Sequence, residues 1–278
     1  MNTNFGNTMR LGIGSYTYPW AVGTPGHMPR RPLSALDLLE KARQLDVSVV
    51  QICDNLPLDA LTESQLREVE HCASEFGVSL ELGVRGIALD LLRRSLELAI
   101  RLKSPILRVV IDVPQQQPQS SEVPNLLRPV LKEFEQANVC LALENHDRFT
   151  AREFKSIVAQ LDSPCVGICL DTVNSFGALE GPETVVTELA PWVSSLHIKD
   201  FVIHRASHNL GFVIEGCPAG RGRLNIPWIL DQLRQSNRHA NPILEQWPAP
   251  EATLEATIAK ENEWALQSIE YLRRLIPD

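Results

Sequence analysis

Four residues of this chain close short apolar runs with a side chain able to bind a divalent cation. Glu144 follows Leu141-Ala142-Leu143, Asp171 follows Cys169-Leu170, His197 follows Leu196, and Glu245 follows Ile243-Leu244. Three carboxylates and one imidazole suit a hard or borderline ion, Mn²⁺ or Mg²⁺ first and Co²⁺ or Zn²⁺ next. An ion chelating two neighbouring oxygens of a hydroxy-ketone acidifies the carbon between them. Glu144 and Glu245 then qualify as a proton-transfer pair, provided the substrate sits between them. Any one such residue more often caps a loop or pairs with a base. Four of them at four strand ends call for a cation, because convergent buried carboxylates are costly without one.

The elements that must position these residues follow from periodicity. A strand alternates faces, so Ser195, His197 and Lys199 point one way while Leu196 and Ile198 point the other. Strand-like runs occur at 10–14, 47–52, 78–82, 105–111, 139–143, 165–170, 193–197 and 242–245. Helical patterns separate them, among them 62–76, which stops at the C-cap residue Gly77, then 89–102, 151–161, 182–189 and 226–233, with 252–275 closing the chain. Eight β/α units imply a parallel sheet, and eight is the number that closes a (β/α)8 TIM barrel. The rival, an open doubly wound sheet, lacks a G-x-G-x-x-G turn after its first strand. No Gly/Pro-rich break interrupts the alternation, so residues 1–278 are expected to form a single α/β domain. In a parallel barrel the strand ends converge on one face, with Ala142, Cys169, Ser195 and Ile243 as inward neighbours one layer below the four ligands.

Other residues are candidates for substrate contact. Tyr16 and Trp20 lie in an aromatic loop after the first strand, where they either wall a pocket or pack the loop onto the barrel. The polar segment 114–121 is expected as a loop over the same rim. The stretch 200–223 is expected as a long functional loop. It carries His204 and His208, read as surface residues, and Arg205 and Arg221, which either bind an anionic substrate group or face solvent. Lys199, on the His197 face, either donates to a developing oxyanion or pairs with a ligand carboxylate.

Composition sets the bounds. Apolar residues make up 44% and charged residues 22%, the balance of an ordinary globular protein. A formal charge of −8 argues against a nucleic-acid partner, which favours a basic face. Cys53, Cys72, Cys140, Cys165, Cys169 and Cys217 form no C-x-x-C pair and read as reduced thiols of a cytoplasmic protein. Met1–Phe5 lacks the basic and apolar regions of a signal peptide. No apolar run approaches the roughly 18 residues of a membrane span, so no membrane role is expected.

The segments Leu143-Glu144-Asn145, Leu170-Asp171-Thr172, His197-Ile198-Lys199-Asp200 and Leu244-Glu245 resemble those of the xylose isomerase-like TIM barrels, the sugar phosphate isomerase/epimerase and endonuclease-IV-like superfamily. The resemblance covers nearly the whole chain. It implies one divalent ion held by Glu144, Asp171, His197 and Glu245, with the two glutamates moving a substrate proton through a metal-bound enediolate. It also implies assembly as dimers or tetramers. Where many relatives carry a His three residues after the Asp, this chain has Asn174. Asn145 and Asn174 join Tyr16, Trp20, Arg205 and Arg221 as substrate-binding candidates, and Glu144, Glu245 and Lys199 as catalytic ones are kept apart from them.

The expectation is a metal-dependent isomerase or epimerase of a small sugar, polyol or sugar acid. A lyase using the same chemistry is the alternative: a decarboxylase of a 3-keto sugar acid, or a dehydratase of an inosose-like ketone. An endonuclease is disfavoured by the acidic balance and the few histidines that can be placed as ligands. A non-catalytic sugar-binding protein would have no need of the glutamate pair.

Overall fold

Val49–Ile52, Ile106–Val110, Cys140–Glu144, Val166–Asp171 and Val193–Ile198 are buried at every position. That is the pattern of parallel strands covered on both faces. A computed structural model describes residues 8–277; Met1–Phe5, read above for a leader segment, lies outside them. The strands are β1 Gly12–Gly14, β2 Val49–Ile52, β3 Ser79–Arg85, β4 Ile106–Val110, β5 Cys140–Glu144, β6 Val166–Asp171, β7 Val193–Ile198, β8 Asp200–Arg205, β9 Phe212–Cys217 and β10 Asn241–Leu244. β1-β10-β7-β6-β5-β4-β3-β2 form a closed barrel, the expected (β/α)8 architecture. Its pairings are parallel throughout.

The helices are α1 Pro19–Val22, α2 Ala35–Gln44, α3 Glu63–Glu75, α4 Leu89–Arg101, α5 Val123–Ala137, α6 Ala151–Leu161, α7 Pro182–Leu189, α8 Ile226–Gln235 and α9 Leu254–Arg273. Capping boxes start three of them: Ser34 with Asp37 at α2, Thr62 with Gln65 at α3, and Thr150 with Glu153 at α6. Each satisfies backbone N–H groups that the helix itself leaves unpaired. Gly77, at φ 67°, stops α3 as its position predicted. Among the described residues no helix is long and apolar enough to cross a membrane. All six cysteines carry free thiols.

The stretch 200–223, expected as a loop, is an ordered antiparallel hairpin over most of its length. β8 pairs with β9 from Asp200↔Cys217 to Arg205↔Phe212. Its two arms are rich in β-branched and aromatic residues, and its turn uses positive φ at Asn209 and Gly211. The base of the hairpin packs on the barrel: the Phe201 ring meets Phe176 edge-on at 4.9 Å. Its outer end leaves Leu210, Phe212 and Ile214 exposed.

Candidate metal centre and its cleft

His197 stands at the centre of the carboxylates. Its Nδ1 lies 3.2 Å from Glu245 Oε1, 3.5 Å from Glu144 Oε2 and 3.8 Å from Asp171 Oδ2. Parallel register brings this about, because Asp171 on β6 is level with His197 on β7 after a register shift between Ile168 and Cys169. Glu144 reaches in from the end of β5, and Glu245 from the residue after β10. All four side chains are buried.

The layer below fixes the imidazole. Gln51 on β2 donates its Nε2 to Glu81 Oε2 at 3.0 Å and to Ser195 Oγ at 3.2 Å. Its Oε1 is therefore an acceptor, 2.7 Å from His197 Nε2. With a proton held on Nε2, Nδ1 is the atom that faces the carboxylates, and a metal would bind there by displacing its proton. Asp171 is aimed in the same way: its Oδ1 accepts from Val173 N and Asn174 N at 2.8 Å each, leaving Oδ2 turned inward.

Asp171 Oδ2 and His197 Nδ1 are buried without a hydrogen-bond partner. The Lys199 ammonium lies 2.7 Å from that oxygen, close enough for ionic attraction but outside hydrogen-bonding geometry. Two orphaned donor atoms beside two further carboxylates fit a divalent cation well. One ligand atom each from Asp171, His197 and Glu245 falls within 4.8 Å of the others.

Two further cations sit in the cluster. Lys199 Nζ is 2.8 Å from Glu245 Oε2, so it pairs with the carboxylates of both Asp171 and Glu245. Arg108, on β4, donates Nε to Glu144 Oε2 and Nη1 to Asp54 Oδ1 at 2.8 Å. Gly83 on β3 makes room for it: a Cβ there would sit 3.2 Å from Arg108 Cδ and 2.5 Å from Cys53 Sγ. The charges shape the acidities. Burial works to raise Glu144, but Arg108 and His197 outweigh it and hold the carboxyl below its usual range. Asp171 is likewise lowered, by Lys199 and His197 against burial. Burial opposes protonation of His197, yet Cys169, Glu245 and Glu144 raise it well above an ordinary histidine.

A cleft of about 480 Å³ opens above the cluster, lined by Tyr16, Asn174, Lys199, Ile214, Glu245 and Trp247 among others. Tyr16 donates its OH to Asp54 Oδ2 at 3.0 Å. Asn174 donates Nδ2 to Glu144 Oε1 at 2.8 Å and accepts from Lys199 Nζ at 3.3 Å. The other candidates are placed differently. Asn145 is buried and spends its amide on Ser175 and on the Asp171 backbone, accepting from Asp171 N at 2.7 Å and donating to Asp171 O at 2.9 Å. It aligns the end of β6 at Asp171. Trp20 turns its indole N–H to Pro248 O at 3.0 Å and packs edge-on against His27, so it seals a loop outside the cleft lining.

Arg205 and Arg221 are not brought to the carboxylates. Arg205 is exposed and stacks on Phe212 at 4.3 Å, near the hairpin turn. Arg221 is exposed because its turn wraps around Asp200, whose carboxylate accepts from Gly220 N, Gly222 N and Leu224 N at 2.9–3.0 Å. The glycines there permit close backbone approach, and the arginine between them is left in solvent. Sequence reading missed Arg108, Asp54, Gln51, Arg85 and His146. Each lies in or just beyond an apolar run; only the inward phase of Gln51 and Arg108 within their strands was available as a signal.

The sequence matches the xylose isomerase-like TIM barrel family over residues 39–275. It is 36% identical over 264 residues, 95% of each chain, to 3-oxo-isoapionate decarboxylase of Pectobacterium atrosepticum. The fold is similar to that of D-psicose 3-epimerase from Clostridium cellulolyticum H10, solved with D-tagatose (TM-score 0.72, 17% identity, covering 96% of this chain and 99% of that one). It is also similar to a xylose isomerase-like TIM barrel protein from Mycobacterium smegmatis in complex with magnesium (TM-score 0.66, 13% identity, covering 98% and 99%). Barrel and family match agree, and the chain belongs to the xylose isomerase-like TIM barrel family.

Proposed function

We propose that this protein is a divalent-metal-dependent lyase that removes CO₂ from a small 3-oxo sugar acid. The observation that carries this reading is the Arg108–Glu144 pair. An epimerase uses two carboxyl groups that exchange roles, one holding a proton while the other takes one. Glu144 is held ionised by a buried guanidinium and by Asn174, which suits a ligand better than a proton carrier. Decarboxylation needs one proton brought to carbon and no pair of groups exchanging roles, and Glu245, which unlike Glu144 lines the cleft, is placed to relay it. The 36% identity to a decarboxylase of a 3-oxo sugar acid supports the same reaction class.

Glu144, Asp171, His197 and Glu245 would hold the ion, which when bound supplies a Lewis acid for the ketone oxygen. The protein's own groups account for the remaining steps. The bond between the carboxylate carbon and its neighbour breaks, CO₂ departs, and the electron pair passes into the ketone as an enolate. A proton from solvent, taken up and passed on by Glu245 at the cleft wall, then reaches the enolate carbon, leaving a ketose one carbon shorter. Lys199 Nζ, 2.8 Å from Glu245 Oε2, keeps a positive charge beside that acid through the step. Tyr16, Phe176, Ile214 and Trp247 line the cleft and limit water around the enolate.

Incubation of the Mn²⁺-loaded protein with a 3-oxo-aldonate tests the reading. CO₂ release that stops on chelation is expected. Exchange of a substrate C–H with solvent deuterium and no CO₂ would instead establish isomerase or epimerase chemistry. That second reading is favoured by one observation: Glu144 and Glu245 both approach the same His197 nitrogen, from strands separated by two others in the barrel.

A further inference from the structure

A sugar acid brings a carboxylate, and the cations at the mouth of the barrel differ in whether they have donors left to bind it. Arg108 is fully buried and committed to Glu144 and Asp54. Lys199 is committed to Asp171 and Glu245. Arg148 spends Nε and Nη2 on Asp112, at 2.9 and 2.7 Å, and Nη2 also on Pro118 O. Arg205 stacks on Phe212 near the hairpin turn, and Arg221 is left in solvent by the turn around Asp200, so neither faces the carboxylates.

Arg85 is different. It is the last residue of β3, with its side chain 32% exposed. Its Nε donates to Asp54 Oδ2 at 3.3 Å, and its Nη2 lies 3.4 Å from His146 Nε2. Its Nη1 meets no protein acceptor among the described residues. The group is aimed from both sides. Asp54 is itself pinned by Tyr16 and Arg108, and His146 by Asp147 Oδ2, 3.1 Å from its Nδ1. Asp54 and Arg85 line the pocket that adjoins the cleft, and Arg85 shares the inward phase of Glu81 and Gly83 along β3. The Asp54–Arg85–His146 chain runs between Tyr16 and Asp147, which line the cleft with Lys199 and Glu245.

We propose that Arg85 is the specificity-determining residue that binds the substrate carboxylate. The substrate class rests on the decarboxylase reading above. A planar guanidinium fixed by a carboxylate on its Nε, with both N–H groups of Nη1 uncommitted, offers donors that a carboxylate takes. Because this charge pair is lost as the carboxylate becomes neutral CO₂, Arg85 sets KM, and kcat belongs to Glu245 and the ligand cluster.

Calorimetry on the Mn²⁺-loaded protein tests this without turnover. Erythronate, an aldonate with no 3-oxo group, is the anionic probe and erythritol the neutral one. Wild type is expected to bind erythronate at least about 10-fold more tightly than erythritol. Arg85→Gln should remove that preference and leave erythritol binding within about 2-fold, and Arg85→Lys should restore part of it. In turnover of the 3-oxo acid, Arg85→Gln should raise KM about 10- to 100-fold with kcat unchanged or raised. Equal binding of the two probes by wild type overturns the proposal. So does an equal weakening of both in Arg85→Gln, which would make Arg85 a support for Asp54. If erythronate keeps an Arg85-dependent advantage and no 3-oxo acid yields CO₂, the carboxylate site stands and the decarboxylase reading falls.

Discussion

Arg108 meets Glu144 with both side chains sealed from solvent, at 3% and 0% exposure. A buried charge pair of this kind is expensive to form and more expensive to break from one side. Arg108→Met should therefore lower the unfolding free energy of the metal-free protein by about 3–5 kcal/mol. Urea unfolding measures it. Added Mn²⁺ should recover part of the loss, since the ion supplies the charge that Glu144 has lost; an equal loss with and without the ion would deny Glu144 a ligand role.

Removal of the orphaned donors should remove metal binding. Mn²⁺ at 100 times its dissociation constant should stabilise the wild type by about 2.7 kcal/mol, seen as a rise in melting temperature. His197→Ala and Asp171→Asn should show little or no rise. If both variants still respond as wild type does, the ligand set is wrong.

Glu245→Gln should keep the fold and lower CO₂ release by about 10²–10⁴-fold, the range for loss of a general acid. Single-turnover measurement separates this from slow product release. Near-normal turnover would assign the proton to a different group, with Lys199 the neighbour to test next.

Glu261 predicts a pH dependence away from the candidate metal centre. Burial raises its carboxyl to about 8, although the Trp20 and Ala21 backbone N–H groups and Lys41 act to lower it. The folded state thus binds this proton more tightly than the unfolded chain does. The contribution is complete below the ordinary glutamate range and is lost as pH rises towards about 8. At its steepest it should cost about 1.4 kcal/mol per pH unit. Urea unfolding between pH 5 and pH 8.5 should show this slope in wild type and a flatter one in Glu261→Gln. Parallel slopes would place the titration elsewhere.

The hairpin shows how a legible signal was passed over. Phe201-Val202-Ile203 and Phe212-Val213-Ile214 carry strand-forming residues on either side of an Asn- and Gly-containing turn. The histidines and arginines between them suggested a functional loop instead. Once paired, the same segment turns Arg205 onto Phe212 and away from the carboxylates.

What the sequence determined by itself was local and periodic. Eight apolar runs alternating with amphipathic helices specify a parallel barrel, and a metal-capable residue at the end of four runs marks one rim. Strand periodicity is a property of a few neighbouring residues, so it can be read without the rest of the chain. The tertiary structure decided which charges meet. Arg108 sits among Leu107, Val109 and Val110, and nothing nearby in sequence names Glu144, 36 residues later, or Asp54, 54 residues earlier, as its partners. Gln51 meets His197 across 146 residues. Barrel closure brings such residues together, and burial then makes each charge depend on its neighbour. The candidate ligands were therefore legible one by one, whereas the charge pairs that hold Glu144 ionised and leave Arg85 with donors to spare belong to the folded barrel.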